Sequence, residues 1–367
     1  MQKYNKIINN VFSKNININY DIKTYICGLN FTIVKILTKD FTDKLSKILT
    51  KEKKILISGH FNPDGDSLGG SLGLFHVLKK AGFDVSVMMP SDLPGFMKWL
   101  PGTENIFLYD KNTSLQAINK ADIIFYVDFN EESRTEYAAE DLKKSKAVKV
   151  MLDHHPQPSE AIDFIFSDTE MSSASEIVFR FIEMMNLKKY LDKDTATCIF
   201  TGIMTDTLNF SVNSSRPETF EVISELLKFG INKDEIYDKV NNNFSLKRLK
   251  LIGYLLYEKM QIVPEVNFSY MMISKKELKE FNFQDGDHEG IVNMPLSVSD
   301  VKISLIAIEN DDFIKISLRS KGNYDVNKLS RKYFNGGGHK NAAGGRIYKS
   351  YAKTEEYIVT SVKAFFS

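Results

Sequence analysis

Short apolar runs alternate with helical patterns from Lys53 onward, and this alternation restricts the possible folds more than any other feature of the chain. The runs read KKILIS, DVSVMM, ADIIFYVDF and AVKVMLD. Strands that are apolar along their whole length lie buried between two layers of helices, which is typical of parallel sheets. The sequence therefore predicts an α/β fold with a doubly wound, mainly parallel sheet.

The chain has 367 residues, which is too long for one core of ordinary size, so we expect two domains. From Val266 the pattern changes to alternating strands followed by a helix, which predicts a smaller α/β domain with a mixed sheet. The amphipathic segment SLKRLKLIGYLLYEKM precedes this domain and predicts a connecting helix. We place the first domain at 41–242, the linker helix at 243–262 and the second domain at 263–367, after an N-terminal extension of unknown role at 1–40.

Composition and charge exclude several classes of protein. The formal net charge is +1, so the chain has no general positive field for holding long nucleic acids. Its two cysteines, Cys27 and Cys198, match neither a zinc nor a redox spacing, so we expect no disulfide framework and a cytoplasmic location. The apolar stretch at residues 22–37 contains two lysines and is shorter than the roughly 20 residues of a spanning helix. We therefore expect neither a membrane span nor a signal peptide.

Acidic and imidazole side chains follow three of the apolar runs, at the point where each strand should end. These side chains are His60, Asp64 and Asp66 after the first run, Asp128 after the third, and Asp153, His154 and His155 after the fourth. Ligands of open parallel α/β sheets bind at the carboxyl ends of the strands, so we expect the three groups to converge. Carboxylates packed this closely repel one another, and divalent cations would remove that conflict.

The types of ligand narrow the choice of metal. Carboxylate oxygens with a few imidazoles and no thiolate suit manganese, or alternatively magnesium, better than a structural zinc site. The acceptors exceed what one ion needs, which indicates two ions that share a carboxylate, with Asp128 as the candidate bridge. Taken singly, each group has an ordinary explanation, since NPDGD favours a turn and an Asp after a strand often caps a helix. His76 and His288 lie outside these groups, and we interpret neither as a ligand.

The segment LDHHP at 152–156 resembles the signature of the DHH phosphoesterase superfamily, and GGGHKNAAGG at 336–345 resembles the DHHA1 domain that accompanies one branch of it. GHFNPDGDSLGG, VDFN and GIMTDT are similar to the remaining metal motifs, in the family's order. The match extends over roughly 40–367. The most similar branch contains short two-domain enzymes of the NrnA-like oligoribonuclease type. These enzymes degrade very short RNA and dephosphorylate 3′-phosphoadenosine 5′-phosphate (pAp).

The resemblance implies roles for individual residues. One metal ion would be held by His60, Asp64 and Asp128, and the other by Asp66, Asp128, His154 and Asp206. His155 would face the scissile phosphate, and Asp153 would orient a ligand histidine.

The second domain would hold a nucleotide. Its predicted substrate-binding residues are Arg319, Ser320, Gly336, Gly337, Gly338 and His339. An arginine can grip a phosphate with two parallel hydrogen bonds, and glycines leave backbone N–H groups free to converge on an anion. For the glycines alone, a hairpin or tight turn stays an open alternative.

The expected activity is metal-dependent hydrolysis of short oligoribonucleotides to mononucleotides, of pAp, or of both. A cyclic or linear dinucleotide phosphodiesterase is the nearest alternative, and a non-catalytic nucleotide-binding sensor is another. Members of the family are often homodimers. Leu208, Ser211 and Val212 depart from the residues frequent in the subgroup after TDT, which leaves substrate contacts near that loop open. Arg216, just beyond them, could compensate for these departures, but we interpret it as an ordinary surface arginine.

Overall fold

The computed structural model describes residues 39–243, 245–283, 287–288 and 290–366. The expectations for the N-terminal extension up to residue 38, for Cys27 and for the apolar stretch at 22–37 lie outside the described residues. Among the helices that the structure describes, none is both long and apolar enough to cross a membrane.

The first domain is built on a sheet of six parallel strands in the order β3-β2-β1-β4-β5-β6. The strands are β1 (Lys54–Ser58), β2 (Asp84–Met89), β3 (Ile106–Leu108), β4 (Ile123–Val127), β5 (Val148–Asp153) and β6 (Phe164–Ser167). After β1 the chain first adds β2 and β3 on one side of it and then β4, β5 and β6 on its other side. The strand order therefore reverses between β1 and β4. The predicted doubly wound parallel sheet is confirmed.

Helices cover both faces of this sheet and explain why its strands are apolar throughout. They are α1 (Lys39–Ile48), α2 (Gly65–Lys80), α3 (Ser114–Lys120), α4 (Ala139–Lys144), α5 (Ala174–Met184), α6 (Lys193–Asp206), α7 (Pro217–Leu227) and α8 (Lys233–Asn241). Because successive strand residues point to opposite faces, Ile57 packs in the core beneath α2, α5 and α6, whereas Leu56 packs in the core beneath α3 and α4.

The second domain contains a mixed sheet in the order β11-β12-β10-β9-β8-β7, as predicted. Its strands are β7 (Gln261–Val263), β8 (Phe268–Ile273), β9 (Ile303–Glu309), β10 (Ile314–Ser320), β11 (Gly337–His339) and β12 (Ala342–Ile347). Only the β8–β9 pair in this sheet is parallel. The helices of this part are α9 (Leu246–Tyr254), α10 (Lys275–Glu280), α11 (Val326–Tyr333) and α12 (Tyr351–Phe366), and α9 lies between the two sheets in the chain. The residue limits of the domains stay predictions.

Glycines let α2 and α6 pack very closely. A Cβ added to Gly69 on α2 would lie 2.4 Å from the carbonyl oxygen of Cys198 and 2.8 Å from the amide nitrogen of Gly202, both on α6. A Cβ on Gly202 would lie 1.9 Å from Oγ of Ser175 on α5. Since α2 begins and α6 ends at the same edge of the sheet, this contact sets the distance between the polar residues at those two helix ends.

Gly69→Ala should destabilise the protein, because the added methyl group meets helix backbone that cannot move aside. We expect a loss of about 1–3 kcal/mol, as for other overpacked cores. Gly253→Ala on α9 is the matched control, since a Cβ there meets no atom within 4 Å and an alanine favours the helix by about 0.5–1 kcal/mol. Thermal unfolding should show a lower midpoint for the first variant and an unchanged or higher one for the second. Equal midpoints for Gly69→Ala and the natural protein would contradict the close packing.

Candidate functional site

The three polar groups predicted at strand ends meet at one edge of the first sheet. The strands β1, β4 and β5 end level with one another, since Ser58 pairs with Tyr126 and Val127 pairs with Leu152. His60 follows β1 by two residues, and Asp128 directly follows β4. Asp153 is the last residue of β5, so His154 and His155 continue from the same edge.

Turn and cap geometry places the first two carboxylates. Asp64 is the N-cap of α2, and its Oδ1 accepts hydrogen bonds from the backbone N–H groups of Asp66 and Ser67, each at 3.0 Å. Asp128 has a left-handed backbone (φ 66°), a conformation that Asp tolerates better than most residues. The ordinary explanations of these residues as turn and cap are therefore correct in part, and they are compatible with a role at the site.

The first group of candidate ligands consists of His60, Asp64 and Asp128, whose ligand atoms lie within 4.8 Å of one another. His60 Nε2 is 3.3 Å from Asp128 Oδ2 and 3.8 Å from Asp64 Oδ1. His60 Nδ1 donates to the carbonyl oxygen of Phe61 at 2.9 Å. Because that carbonyl can only accept, the neutral ring keeps its proton on Nδ1 and presents Nε2 to the carboxylates.

The second group consists of Asp66, His154 and Asp206. His154 Nε2 lies 3.8 Å from Asp66 Oδ2 and 3.7 Å from Asp206 Oδ2. The same nitrogen is 3.7 Å from Asp128 Oδ1, so Asp128 contacts both groups through different oxygens. His154 Nε2 and Asp128 Oδ1 are buried atoms without a hydrogen-bond partner in the part of the chain that the structure describes. Buried polar atoms without partners are costly, and divalent cations bound by this oxygen-rich set would satisfy both.

The protonation equilibria of the site show how strongly its members interact. Burial and the repulsion of Asp66 and Asp64 hold the pKa of Asp128 well above its usual range. Burial, reinforced by Asp66 and Asp64 and opposed by His154 and the Arg319 guanidinium, raises the pKa of Asp206 to about 7. Burial by itself would lower the pKa values of the two histidines. The neighbouring carboxylates outweigh this effect and raise the pKa of His60 to about 10 and that of His154 to about 9. Without cations, protons would therefore offset part of the negative charge.

Asp153 and His155 form a pair that borders Asp128, since His155 Nδ1 lies 3.7 Å from Asp128 Oδ1. Asp153 is fully buried, and its Oδ1 accepts from His155 Nδ1 at 2.7 Å while its Oδ2 accepts from the His155 backbone N–H at 3.1 Å. The expectation that Asp153 orients a ligand histidine differs from this geometry, because the predicted ligand His154 instead directs Nδ1 at the carbonyl oxygen of Met171, 3.4 Å away. Asp153 fixes the ring of His155, whose Nε2 stays available to a substrate.

The second domain reaches this edge through His339. The His339 ring stacks on His155 with centroids 4.2 Å apart and an interplanar angle of 24°, and it lies 4.9 Å from the His154 ring. Gly337 and His339 pair with Gly344 and Ala342 across the β11–β12 hairpin. The hairpin, left open as an alternative for the glycines, is thus the observed conformation. Binding of substrate by Gly336, Gly337, Gly338 and His339 stays a prediction.

The two remaining predicted substrate-binding residues differ in orientation. Arg319 shares a row with His339, because both pair with Ala342, and its guanidinium acts on Asp206. Ser320 follows Arg319 and therefore points to the other face of the strand. Its Oγ donates to the carbonyl oxygen of Tyr324 at 2.6 Å and accepts from Asn341 Nδ2 at 2.8 Å. These bonds support a structural role for Ser320.

The loop that departs from the family pattern is tightly wound. Leu208, Asn209 and Phe210 all have left-handed backbones, with φ of 47°, 55° and 63°, which is costly for the leucine and the phenylalanine. Leu208 and Val212 are exposed, and the Ser211 N–H donates to the carbonyl oxygen of Thr207 at 2.8 Å.

Arginines around the site divide into expected and unexpected ones. Arg216 is half-buried and lies 3.7 Å from Asp168 and 3.6 Å from Glu218, and its interpretation as a surface arginine stays a prediction. Sequence reasoning missed Arg134, which lies near His155 and His339. It also missed Arg346, which forms a 2.5 Å ion pair with Glu136 of the first domain. The sequence could have indicated Arg134, because it lies only six residues after the candidate bridging ligand Asp128.

Comparisons with known proteins agree with the sequence resemblance. Residues 54–203 match the DHH family, N-terminal domain, and residues 265–367 match the DHHA1 domain. The chain is 31% identical over 303 residues to the bifunctional oligoribonuclease and PAP phosphatase NrnA of Mycoplasma genitalium, covering 80% of this chain and 88% of that protein. It is 28% identical over 303 residues to the probable bifunctional oligoribonuclease and PAP phosphatase NrnA of Streptococcus mutans, covering 82% and 92%. The crystal structure of an exopolyphosphatase-related protein from Bacteroides fragilis has a TM-score of 0.85 and 39% identity, covering 90% of this chain and 98% of that one.

Divalent cations should stabilise the protein, and more strongly at pH 8 than at pH 6. The raised pKa values of His60 and His154, about 10 and 9, mean that metal binding must displace their protons, so affinity rises with pH. At a free Mn²⁺ concentration of 100 times Kd, the gain is about 2.7 kcal/mol per site. The measurement is the shift of the thermal midpoint on adding Mn²⁺.

The variant His154→Gln should lose the part of this shift that the second group contributes, whereas His76→Gln, on α2 and outside the two groups, should keep all of it. A shift of the same size at both pH values, or in both variants, would contradict the assignment.

Proposed function

Because the chain belongs to the DHH family and carries a DHHA1 domain, we propose that it is a metal-dependent phosphoesterase that hydrolyses short oligoribonucleotides to mononucleotides and removes the 3′-phosphate of pAp. The observation that carries the proposal is the convergence of two candidate ligand groups around Asp128, each able to hold a cation. The names of the relatives support the choice of substrates.

Six residues would hold the two ions. His60, Asp64 and Asp128 would bind one, and Asp66, Asp128, His154 and Asp206 the other, with manganese the preferred metal and magnesium the alternative. Asp128 suits the shared position because Oδ2 faces His60 at 3.3 Å and Oδ1 faces His154 at 3.7 Å. When bound, two divalent ions supply Lewis-acid activation of water and neutralise phosphate charge.

The chain's own residues would position the substrate and move a proton. Asp153 holds His155 through Nδ1 at 2.7 Å, which directs Nε2 toward the space that a phosphate would occupy. Burial keeps the pKa of His155 below its ordinary value although Asp153 opposes this, so the resting ring is neutral and its Nε2 can accept a proton. Once Nε2 has taken up a proton, such as the one that the attacking water loses, His155 can donate a hydrogen bond to a phosphoryl oxygen or pass the proton to the leaving ribose oxygen.

The contact between domains supports short substrates. His339 lies directly on His155, so the second domain would meet the nucleotide next to the scissile phosphate. The net charge of +1 gives no means of holding a long nucleic acid.

The organisation proposed for the whole chain follows the same division. Residues 41–242 would form the catalytic domain, 243–262 the linker, which contains α9 and also the first residues of β7, and 263–367 the substrate-binding domain. The scarcity of cysteines supports a cytoplasmic location. The homodimer that the family resemblance implies is a further proposal, which sedimentation analysis would test.

Asp128→Asn should abolish turnover of every phosphoester, because the carboxylate that both ligand groups would share becomes a neutral amide. Asp122→Asn is the matched control, since Asp122 precedes the same strand at its other end, where it pairs with Lys53 at 3.0 Å. The assay compares pApA, short RNA, pAp and cyclic di-AMP, each with Mn²⁺.

Retained turnover in Asp128→Asn would contradict the shared-ligand assignment. Preference of the natural protein for cyclic di-AMP would favour the cyclic-dinucleotide phosphodiesterase. Binding of all substrates without turnover would favour the sensor.

Arg319→Ala should raise KM for pApA by about tenfold or more, because one charge-assisted hydrogen bond to a phosphate is lost. Turnover of bis(p-nitrophenyl) phosphate, which lacks a nucleotide, should change little. Lys328→Ala is the control, since Lys328 is exposed on α11 of the same domain and pairs with Asp325. Equal losses on both substrates would argue against nucleotide recognition by Arg319.

A further inference from the structure

We propose that Arg134 is a further catalytic residue, whose guanidinium binds the phosphate that the metal centre cleaves. The inference rests on the proposed phosphoesterase function and deepens it, since it adds a fixed cation from the first domain to the predicted site.

The chain segment that carries Arg134 is tied to both neighbouring polar loops. Arg134 lies in a 3-10 turn, Glu132–Ala138, that starts four residues after Asp128. Its carbonyl oxygen accepts from the backbone N–H of Phe61 at 2.8 Å, and Phe61 directly follows His60. At the start of the same connection, Asn130 Nδ2 donates to the carbonyl oxygen of Pro156 at 2.8 Å, next to His155. These bonds hold Arg134 between the loops that present His60 and His155.

The Arg134 guanidinium lacks a partner of its own. It is half-buried, and it forms no hydrogen bond or ion pair with any residue that the structure describes. By contrast, Arg180, Arg216 and Arg346 each lie within 4 Å of a glutamate carboxylate. A partly buried cation without a counter-charge is costly, and a phosphate would supply two acceptors in the geometry that arginine prefers.

The surroundings of Arg134 identify which phosphate that is. The connection that carries Arg134 is bonded through Asn130 to Pro156, the residue after His155, and the His155 ring stacks on His339. Arg134 thus belongs to the side of the histidine pair, whereas Arg319 lies on the second sheet in the row of His339. The carboxylate nearest to His155, that of Asp153, already accepts two hydrogen bonds from His155. The anion left for Arg134 is the phosphate that His155 would face.

The turn is also held from the second domain. Glu136, two residues after Arg134, pairs with Arg346 on β12 at 2.5 Å. The position of Arg134 is therefore fixed on both sides when the domains are in contact, and a donor fixed in advance stabilises a transition state without reorganisation.

In the hydrolysis, a water oxygen forms a bond to phosphorus and the bond from phosphorus to the leaving ribose oxygen breaks. The proton lost by the water is balanced by the proton taken up by the leaving oxygen. Arg134 keeps its positive charge throughout, because a guanidinium does not lose its proton in proteins, and its N–H donors offset the charge on the non-bridging oxygens. Removal of one such donor typically costs about 10²- to 10³-fold in turnover.

The test compares Arg134→Ala, Arg134→Lys and the control Lys144→Ala, on pApA and on bis(p-nitrophenyl) phosphate with Mn²⁺. Lys144 is an exposed cation of the same domain that pairs with Glu140. We expect Arg134→Ala to lower kcat by about 10²- to 10³-fold on both substrates, because both contain the phosphate that is cleaved. Arg134→Lys should recover part of the loss, and Lys144→Ala should match the natural protein.

A second measurement is independent of turnover. Calorimetric titration of the Mn²⁺-loaded proteins with inorganic phosphate should show at least tenfold weaker binding in Arg134→Ala and unchanged binding in Lys144→Ala. Manganese binding itself should be the same in all variants.

Several results would overturn the inference. These are unchanged kcat in Arg134→Ala, a loss confined to KM for pApA, or a loss of manganese binding. Inactivity of the natural protein on both substrates would overturn the proposed function instead, and the phosphate titration would then decide the role of Arg134 by itself.

Discussion

Repulsion among buried carboxylates at the carboxyl edge of the first sheet is the constraint that the rest of the structure accommodates. Asp66 and Asp128 are almost completely buried, and Asp66 adds to the effect of burial in raising the pKa of both Asp128 and Asp206. A fold gains nothing in stability from such an arrangement. This repulsion is understandable only if bound cations balance the negative charge. The histidines that lie among the acids support this explanation, because imidazole nitrogens are ligands for divalent transition-metal ions.

Helix ends determine how that charge is distributed. Asp66 lies at the N-terminus of α2 and also accepts from the N–H groups of Ala174 and Ser175, at 2.6 and 2.8 Å, where α5 begins. Both helix dipoles favour a negative charge there. Asp206 is the last residue of α6, where the dipole opposes a carboxylate. The close packing of α2 against α6 nevertheless holds the two acids together, so the demand for a cation is greatest on the side of Asp206 and His154.

The sequence was sufficient for the features that depend on period and strand order. Runs such as KKILIS predicted buried parallel strands, and the rule that ligands gather at strand carboxyl ends predicted the meeting of His60, Asp128 and His154. The sequence was insufficient where the position of a side chain depends on a single backbone torsion or on a contact between residues distant in sequence. Which histidine Asp153 would contact depends on how the chain turns after β5. The stacking of His339 on His155 depends on how two domains meet, which no local pattern encodes.

The basic side chains at the site come from both domains and differ in their proposed roles. Arg134 and His155 belong to the first domain, where they are bonded to Phe61 and Asp153. Arg319 and His339 share one row of the second sheet. Under the proposed function, the groups that act on the phosphate would come from the first domain, and those that recognise the nucleotide from the second. Substrate choice would then depend on what fits between the row of Arg319 and the edge of the first sheet.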